Sequence, residues 1–124
     1  MALYNSSGKL LECVLYDNTT GTTGIVTLND SSANYTYIEI FYCSNQNTDY
    51  KSEKVYNPNG KSVRLQIINI NGTNQIIAIR SKRIVISGNK ITNDQIGYTE
   101  IGMTGVMTID GQDYIKVVRV VGYK

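Results

Sequence analysis

Four turn signals divide this chain into short strand-like runs, and they restrict its fold more than any other feature. They are N-P-N-G at Asn57–Gly60, Asn71-Gly72, Gly88-Asn89 and Asp110-Gly111. Asn-Gly, Asp-Gly and Gly-Asn supply the positive backbone φ of tight hairpin turns. Pro58 presets the dihedral of its own turn, and Gly60 takes the left-handed position. Between the turns lie runs rich in isoleucine and valine, whose branched side chains suit a pleated, half-buried surface. No segment keeps apolar residues at helical spacing between caps. Evenly punctuated β-branched runs predict an all-β fold, an antiparallel β-sandwich of jelly-roll-like character. About eight to ten short strands joined by hairpin turns are expected.

Leu11–Tyr16 reads as the first strand, with Asp17–Gly24 (D-N-T-T-G-T-T-G) as a turn-forming loop and Ile25–Leu28 pairing back. After a loop over Asn29–Asn34, the run Tyr35–Cys43 alternates cleanly. Ile38, Ile40 and Tyr42 share one face, while Tyr37, Glu39 and Phe41 share the other. The aliphatic face is expected in the core. Ser44–Ser52 (S-N-Q-N-T-D-Y-K-S) is the longest polar stretch and reads as a mobile loop.

The turn signals then predict four hairpins. The first joins Glu53–Tyr56 to Lys61–Ile70, and the second joins the strand ending at Ile70 to Gln75–Arg80. The third joins Arg83–Ser87 to Lys90–Thr92, and the fourth joins Val106–Ile109 to Tyr114–Val121. Arg80, Lys82 and Arg83, the densest positive stretch, read as a solvated turn between strands. Asn93–Thr104, loosened by Gly97, Gly102 and Gly105, reads as a long irregular connection. The final strand runs almost to Lys124 and should be tied into a sheet. Its apolar residues fall on both faces, as expected if one face meets the core and the other meets neighbouring subunits.

No domain boundary or repeat is evident, so residues 1–124 are expected to form one all-β domain, with 1–10 as a leader or shaft remnant. Charged residues make up 18% of the chain and the net charge is +2, too small for a nucleic-acid footprint. No apolar run approaches the roughly 20 residues of a membrane-spanning helix, and the start lacks the order of a signal peptide. Cys13 and Cys43 both fall in strands and could pair. Two buried or semi-buried thiols, made in a reducing cytoplasm, are the preferred reading. The sequons at Asn5, Asn18, Asn29, Asn34 and Asn71 arise by chance in a chain so rich in Asn, Ser and Thr.

Ten tyrosines stand beside no histidine and no tryptophan. Histidine is the side chain that most general-base schemes use near neutral pH. Nothing replaces it. Most carboxylates sit in turn segments, where Asp caps backbone amides. Glu39 alone lies mid-strand between aromatics and is expected to face a lysine or arginine across the sheet. Asp110-Gly-Gln-Asp113 resembles half a calcium loop but lacks its remaining oxygen ligands. The cysteines have no histidine base, and no glycine-rich phosphate loop precedes a helix. The chain is therefore expected to be no enzyme, with no catalytic residue, metal or cofactor. A polysaccharide-degrading enzyme is the weakest of the readings kept open.

Recognition remains. Tyr35, Tyr37, Tyr50, Tyr56 and Tyr98 lie in or beside polar loops, and Asn45, Asn47 and Asp49 sit in the longest of these. A sugar site needs an apolar ring face together with amides and carboxylates for hydroxyls, so these eight residues are the candidate ligand contacts. Each tyrosine taken singly also reads as an amphipathic strand residue with its hydroxyl in water.

Three stretches carry a family resemblance: L-Y-D-N-T-T-G-T-T-G-I-V-T-L (Leu15–Leu28), Y-I-E-I-F-Y with K-V-Y-N-P-N-G-K-S-V-R-L (within Tyr37–Leu65), and the ending I-K-V-V-R-V-V-G-Y-K. From about Leu11 to Lys124 the chain resembles the C-terminal head or receptor-binding domains of tail fibre or baseplate proteins from phages and prophages of low-GC Gram-positive bacteria. The resemblance implies an all-β head, usually a homo-trimer, located in the virion tail. Its implied partners are other phage tail proteins and the cell-surface polysaccharide of a bacterial host, such as wall polysaccharide or teichoic acid. Neither nucleic-acid binding nor membrane insertion is implied. Such fibres carry a long upstream shaft, whereas this chain starts at its own methionine, as a fragment with an added start or a small free-standing relative would. A structural virion protein, from a baseplate or decoration, is the alternative.

Overall fold

The alternation of the strand Tyr37–Ser44 decides the inside of the molecule. Ile38, Ile40 and Tyr42 are buried, as their spacing requires. They face across to Leu65, Ile67, Ile84 and Ile86 of a second sheet, and together these form one core. Each fully buried aliphatic side chain contributes about 1.5–3 kcal/mol relative to exposure. The computed structural model describes residues 2–4, 10–44, 50–71, 76–102 and 107–124.

The first sheet contains β1 (Ala2–Tyr4), β2 (Leu10–Thr22), β4 (Tyr37–Ser44), β5 (Lys51–Tyr56) and β10 (Ile115–Tyr123), in the order β1-β2-β10-β4-β5. The second contains β3 (Val26–Thr27), β6 (Ser62–Asn71), β7 (Ile76–Ser87) and β8 (Lys90–Gly102), in the order β3-β8-β7-β6, with β9 (Met107–Asp110) on β8. All pairings are antiparallel and the two sheets form a β-sandwich. The chain crosses between sheets after β2, β3, β5 and β9. The strands β6 to β8 form a meander of hairpins.

Two of the four expected hairpins form. Asn71 pairs with Ile76 across the β6–β7 connection, whose residues 72–75 lie outside the described ones. Ser87 pairs with Lys90 around Gly88-Asn89, and Gly88 has φ +57°. The other two turns join different sheets instead. N-P-N-G has its expected local geometry, with Gly60 at φ +85° and the Lys61 amide donating to the Pro58 carbonyl at 3.1 Å. Yet β5 pairs with β4, and β6 pairs with β7. The Gly60 amide donates to the Ile86 carbonyl (2.7 Å), and the Ile86 amide donates to the Lys61 carbonyl (2.8 Å), so the turn is anchored on β7. Likewise Asp110-Gly111 separates β9 from β10, whose partners are β2 and β4.

Four further expectations are corrected. Ile25–Leu28 does not pair back on the first strand, because Val26 and Thr27 pair with β8. The D-N-T-T-G stretch instead remains in β2 as a broad bulge. Asp17 faces Arg119 and Thr22 faces Val117, so the intervening residues have no matching partners on β10. The side-chain oxygen of Asn18 accepts from the Thr20 amide at 3.1 Å, and Gly21 takes φ +78°. Arg80, Lys82 and Arg83 are not a solvated turn. They lie mid-strand in β7, where Arg80 and Lys82 are buried. Nor is Asn93–Thr104 irregular up to residue 102, since β8 pairs with β7 along its length. A bulge leaves Asp94 unmatched in the register, and its carboxylate accepts from Arg83 Nε and Nη2 at 2.8 and 2.7 Å.

The terminal strand is central to the first sheet. Ile115, Val117 and Val120 enter the core, and Val118 and Val121 are also buried although they lie outside the core cluster. Within one chain Val118 is 7% and Val121 3% exposed. Cys13 and Cys43 are free thiols. Cys13 packs against the core, whereas Cys43 takes the opposite parity to Tyr42 on β4, with β10 between the two strands.

At one end of the sandwich, Lys82 closes two crossovers. It is 1% exposed. Its ammonium donates to Asp113 Oδ2 (3.2 Å) and to the carbonyls of Thr23 (3.2 Å) and Ile115 (2.8 Å). Asn93 Nδ2 donates to the same Thr23 carbonyl (2.7 Å) and to Asp113 Oδ2 (3.3 Å), and the Ile115 amide donates to Asp113 Oδ1 (3.1 Å). Two strands of the second sheet thus hold the exit of β2 and the entry of β10.

Burial raises the Tyr35, Tyr42 and Tyr123 hydroxyls above their ordinary value near 10. A raised folded-state value means that stability is fully present below pH 10 and is lost as pH rises through the folded values. Thermal melts are expected to fall progressively above pH 10. A flat profile to pH 11.5 would contradict the buried state of these hydroxyls.

Candidate functional site

The outward parity of β4 builds a surface of three rungs across the first sheet. In the first, Asp17, Arg119, Phe41 and Ser52 follow one another in register over β2, β10, β4 and β5. The second contains Val14, Val121, Glu39 and Lys54, and the third contains Tyr123, Tyr37 and Tyr56. Alternate residues on a strand are about 7 Å apart, which sets the rung spacing.

Around the first rung, Asp17, Thr19, Phe41, Tyr50, Val118 and Arg119 line a groove of about 250 Å³. A cavity of about 150 Å³ accommodates benzene, so the groove has room for one substituted six-membered ring. Phe41, Tyr50 and Val118 provide apolar contact. Asp17 accepts hydrogen bonds, Arg119 donates them, and the Thr19 hydroxyl does both.

The third rung is a tyrosine ladder. Tyr37 and Tyr123 stack with centroids 4.5 Å apart and planes 9° apart, and Tyr56 lies 5.0 Å from Tyr37 at 33°. Because β10 and β5 flank β4, Tyr37 has an aromatic neighbour on each side. Lys54 Nζ also lies 5.8 Å from its centroid. The ladder therefore offers hydroxyls and the outer ring of Tyr56, which is 56% exposed. Burial, followed by the nearby Glu12 and Glu39 carboxylates, raises the Tyr123 hydroxyl and keeps it a donor at neutral pH. In the middle rung Glu39 faces Lys54, the cross-strand cation expected of it, and its Oε2 accepts from Ser52 Oγ at 2.8 Å.

Of the eight candidate contacts, the fold brings Tyr37, Tyr50 and Tyr56 onto this face. Tyr35 is not on it. Tyr35 is 6% exposed, its ring occupies the space over Gly122, and its hydroxyl donates to Asp30 Oδ2 at 2.9 Å. That bond leads the causes that hold the Asp30 carboxyl below its ordinary range. Tyr98 belongs to β8 of the second sheet, opposite Arg80 in register. Asn45, Asn47 and Asp49 lie outside the described residues. Sequence reasoning missed Asp17, Thr19, Phe41, Val118, Arg119 and Tyr123 as site residues. Phe41 was legible as a face-mate of Tyr37, but the register that brings Arg119 beside it is not encoded in either segment alone. Among the described residues, no group of three or more Cys, Asp or Glu side chains could hold a metal ion.

No family model matches this chain, and no curated protein matches it.

Proposed function

We propose that this protein is a non-enzymatic receptor-binding module of a phage tail, which recognises a bacterial surface saccharide through the outer face of its first sheet. The observation that carries recognition is the groove around Phe41, where an apolar floor meets a carboxylate, a guanidinium and a hydroxyl. Sugar rings offer C–H faces and hydroxyls in the same combination. The phage tail, the homo-trimer and the other tail proteins as partners rest on the resemblance of the strand-and-turn stretches. A non-catalytic role fits the middle rung, where Glu39 is in register with Lys54 on one side and Val121 on the other.

The test is a pull-down of purified protein on Gram-positive cell walls before and after stripping of wall polysaccharide. Retention on intact walls and loss on stripped ones is expected. Equal retention on both would overturn the reading.

A second reading, a structural virion protein that binds other virion proteins, draws on a different surface. Ile68, Ile70 and Ile77 are exposed on the second sheet, with Ile70 at 77% and in register with Ile77. Contiguous exposed apolar residues mark protein contacts. If this reading is correct, Ile70→Lys blocks particle assembly, whereas under the receptor-binding reading particles still assemble.

A further inference from the structure

Resting on that recognition reading, we infer that the rungs bind an extended, uncharged glycan that runs from the groove to the tyrosine ladder, rather than a phosphate-bearing polymer. Length comes first. Phe41 and Tyr37 are four residues apart on one strand, or about 14 Å, which is further than one sugar ring reaches. Both ends carry an exposed aromatic, Tyr50 at the groove and Tyr56 at the ladder. Between them the middle rung is continuous, with buried Val121 as floor and the Glu39–Ser52 hydrogen bond and Lys54 beside it. The track is therefore matched to about three or more sugar units.

Charge selects the class. Arg119 has Asp17 beside it in register, and Lys54 has Glu39. Glu12 lies 3.5 Å from the Tyr123 hydroxyl at the ladder end, and Lys116 follows the groove at the other end. Each cation within the rungs thus has a carboxylate well inside the Debye length of about 8–10 Å. A phosphodiester chain gains affinity from an unopposed basic track, by neutralising successive charges. The three rungs provide none. Alternating acceptors and donors instead suit hydroxyls, each of which both donates and accepts.

The experiment uses glycans released from low-GC Gram-positive walls, separated by anion exchange into neutral and anionic fractions and sized from one to six units. Each is titrated by calorimetry into the full chain. Affinity is expected in the neutral fraction, rising with length up to about three or four units. It should change by less than about threefold between roughly 50 and 500 mM NaCl. Tyr50→Ala and Tyr56→Ala, both at exposed positions, should each weaken the longer glycans by about three- to tenfold. Single sugars should respond to Tyr50→Ala alone. Binding confined to the anionic fraction, or affinity independent of length, overturns this inference and leaves saccharide recognition standing. If the folded protein binds neither fraction, the recognition reading itself fails.

Discussion

Replacing Lys82 by methionine is expected to lower the unfolding free energy by about 3–5 kcal/mol, the usual cost of removing one partner from a buried ion pair. The loss comes from what remains. Asp113, 14% exposed, is left without its cation, and the Ile115 carbonyl loses its buried donor, whereas the Thr23 carbonyl still accepts from Asn93. Urea denaturation measures the change through the transition midpoint. The double variant Lys82→Met/Asp113→Leu should recover most of the loss, because a buried pair replaced as a unit by apolar groups is often neutral. Additive losses in the two single variants would mean that the pair is not coupled. Burial lowers the lysine below its ordinary value, with Asp113 opposing the shift. Between the lowered folded value and about 10.4, the unfolded chain binds more protons than the folded one, so this group makes stability rise with pH in that window. The stability difference between wild type and Lys82→Met should therefore widen as pH rises through the window. A narrowing difference would mean that attraction to Asp113 outweighs burial.

That network also shows which features the sequence reveals and which it hides. Alternation is local, so the burial of Ile38, Ile40 and Tyr42 was legible without any knowledge of partners. Turn chemistry is local too, and Gly60 and Gly88 adopt the positive φ that their turns require. Partner choice is not local. N-P-N-G and Asp110-Gly111 bend the chain as their composition dictates, but contacts made far along the sequence decide whether the next strand pairs or crosses. For the first turn the decisive contact is Ile86, and for the second it is Lys82. The charged run Arg80–Arg83 misled for the same reason, because nothing nearby announces that Asp113 and two carbonyls will satisfy an interior lysine. Gly97 in β8 misled by propensity, since continuous pairing with β7 overrides a weak strand former. The candidate face was half legible. Tyr37, Glu39 and Phe41 share a parity visible in the sequence, whereas Arg119, Asp17 and Tyr123 join them only through the register of β10 with its neighbours.

The terminal V-V-G-Y-K yields the second large effect, because Gly122→Ala is expected to destabilise the protein by about 1–3 kcal/mol. Gly122 does not take a left-handed dihedral, so alanine has no backbone objection there. The objection is space. A Cβ at this position would lie 2.6 Å from Cδ1 and 2.8 Å from Cε1 of Tyr35. The ring cannot easily retreat, because the Tyr35 hydroxyl is bonded to Asp30 and its backbone amide donates to Ser32. Nor can the strand shift freely, since β10 pairs with both β2 and β4, and Gly122 itself faces Cys13 and Ile38. For a domain of this length each kcal/mol corresponds to about 4 °C, so the melting midpoint should fall by roughly 4–12 °C. Tyr35→Leu alone should also destabilise, by removing the hydroxyl that Asp30 accepts. Combined with Gly122→Ala it should cost less than the sum of the two, because the smaller side chain makes room for the methyl group. An additive double variant would show that the clash is relieved elsewhere, and that the glycine of this ending serves some need other than the Tyr35 ring.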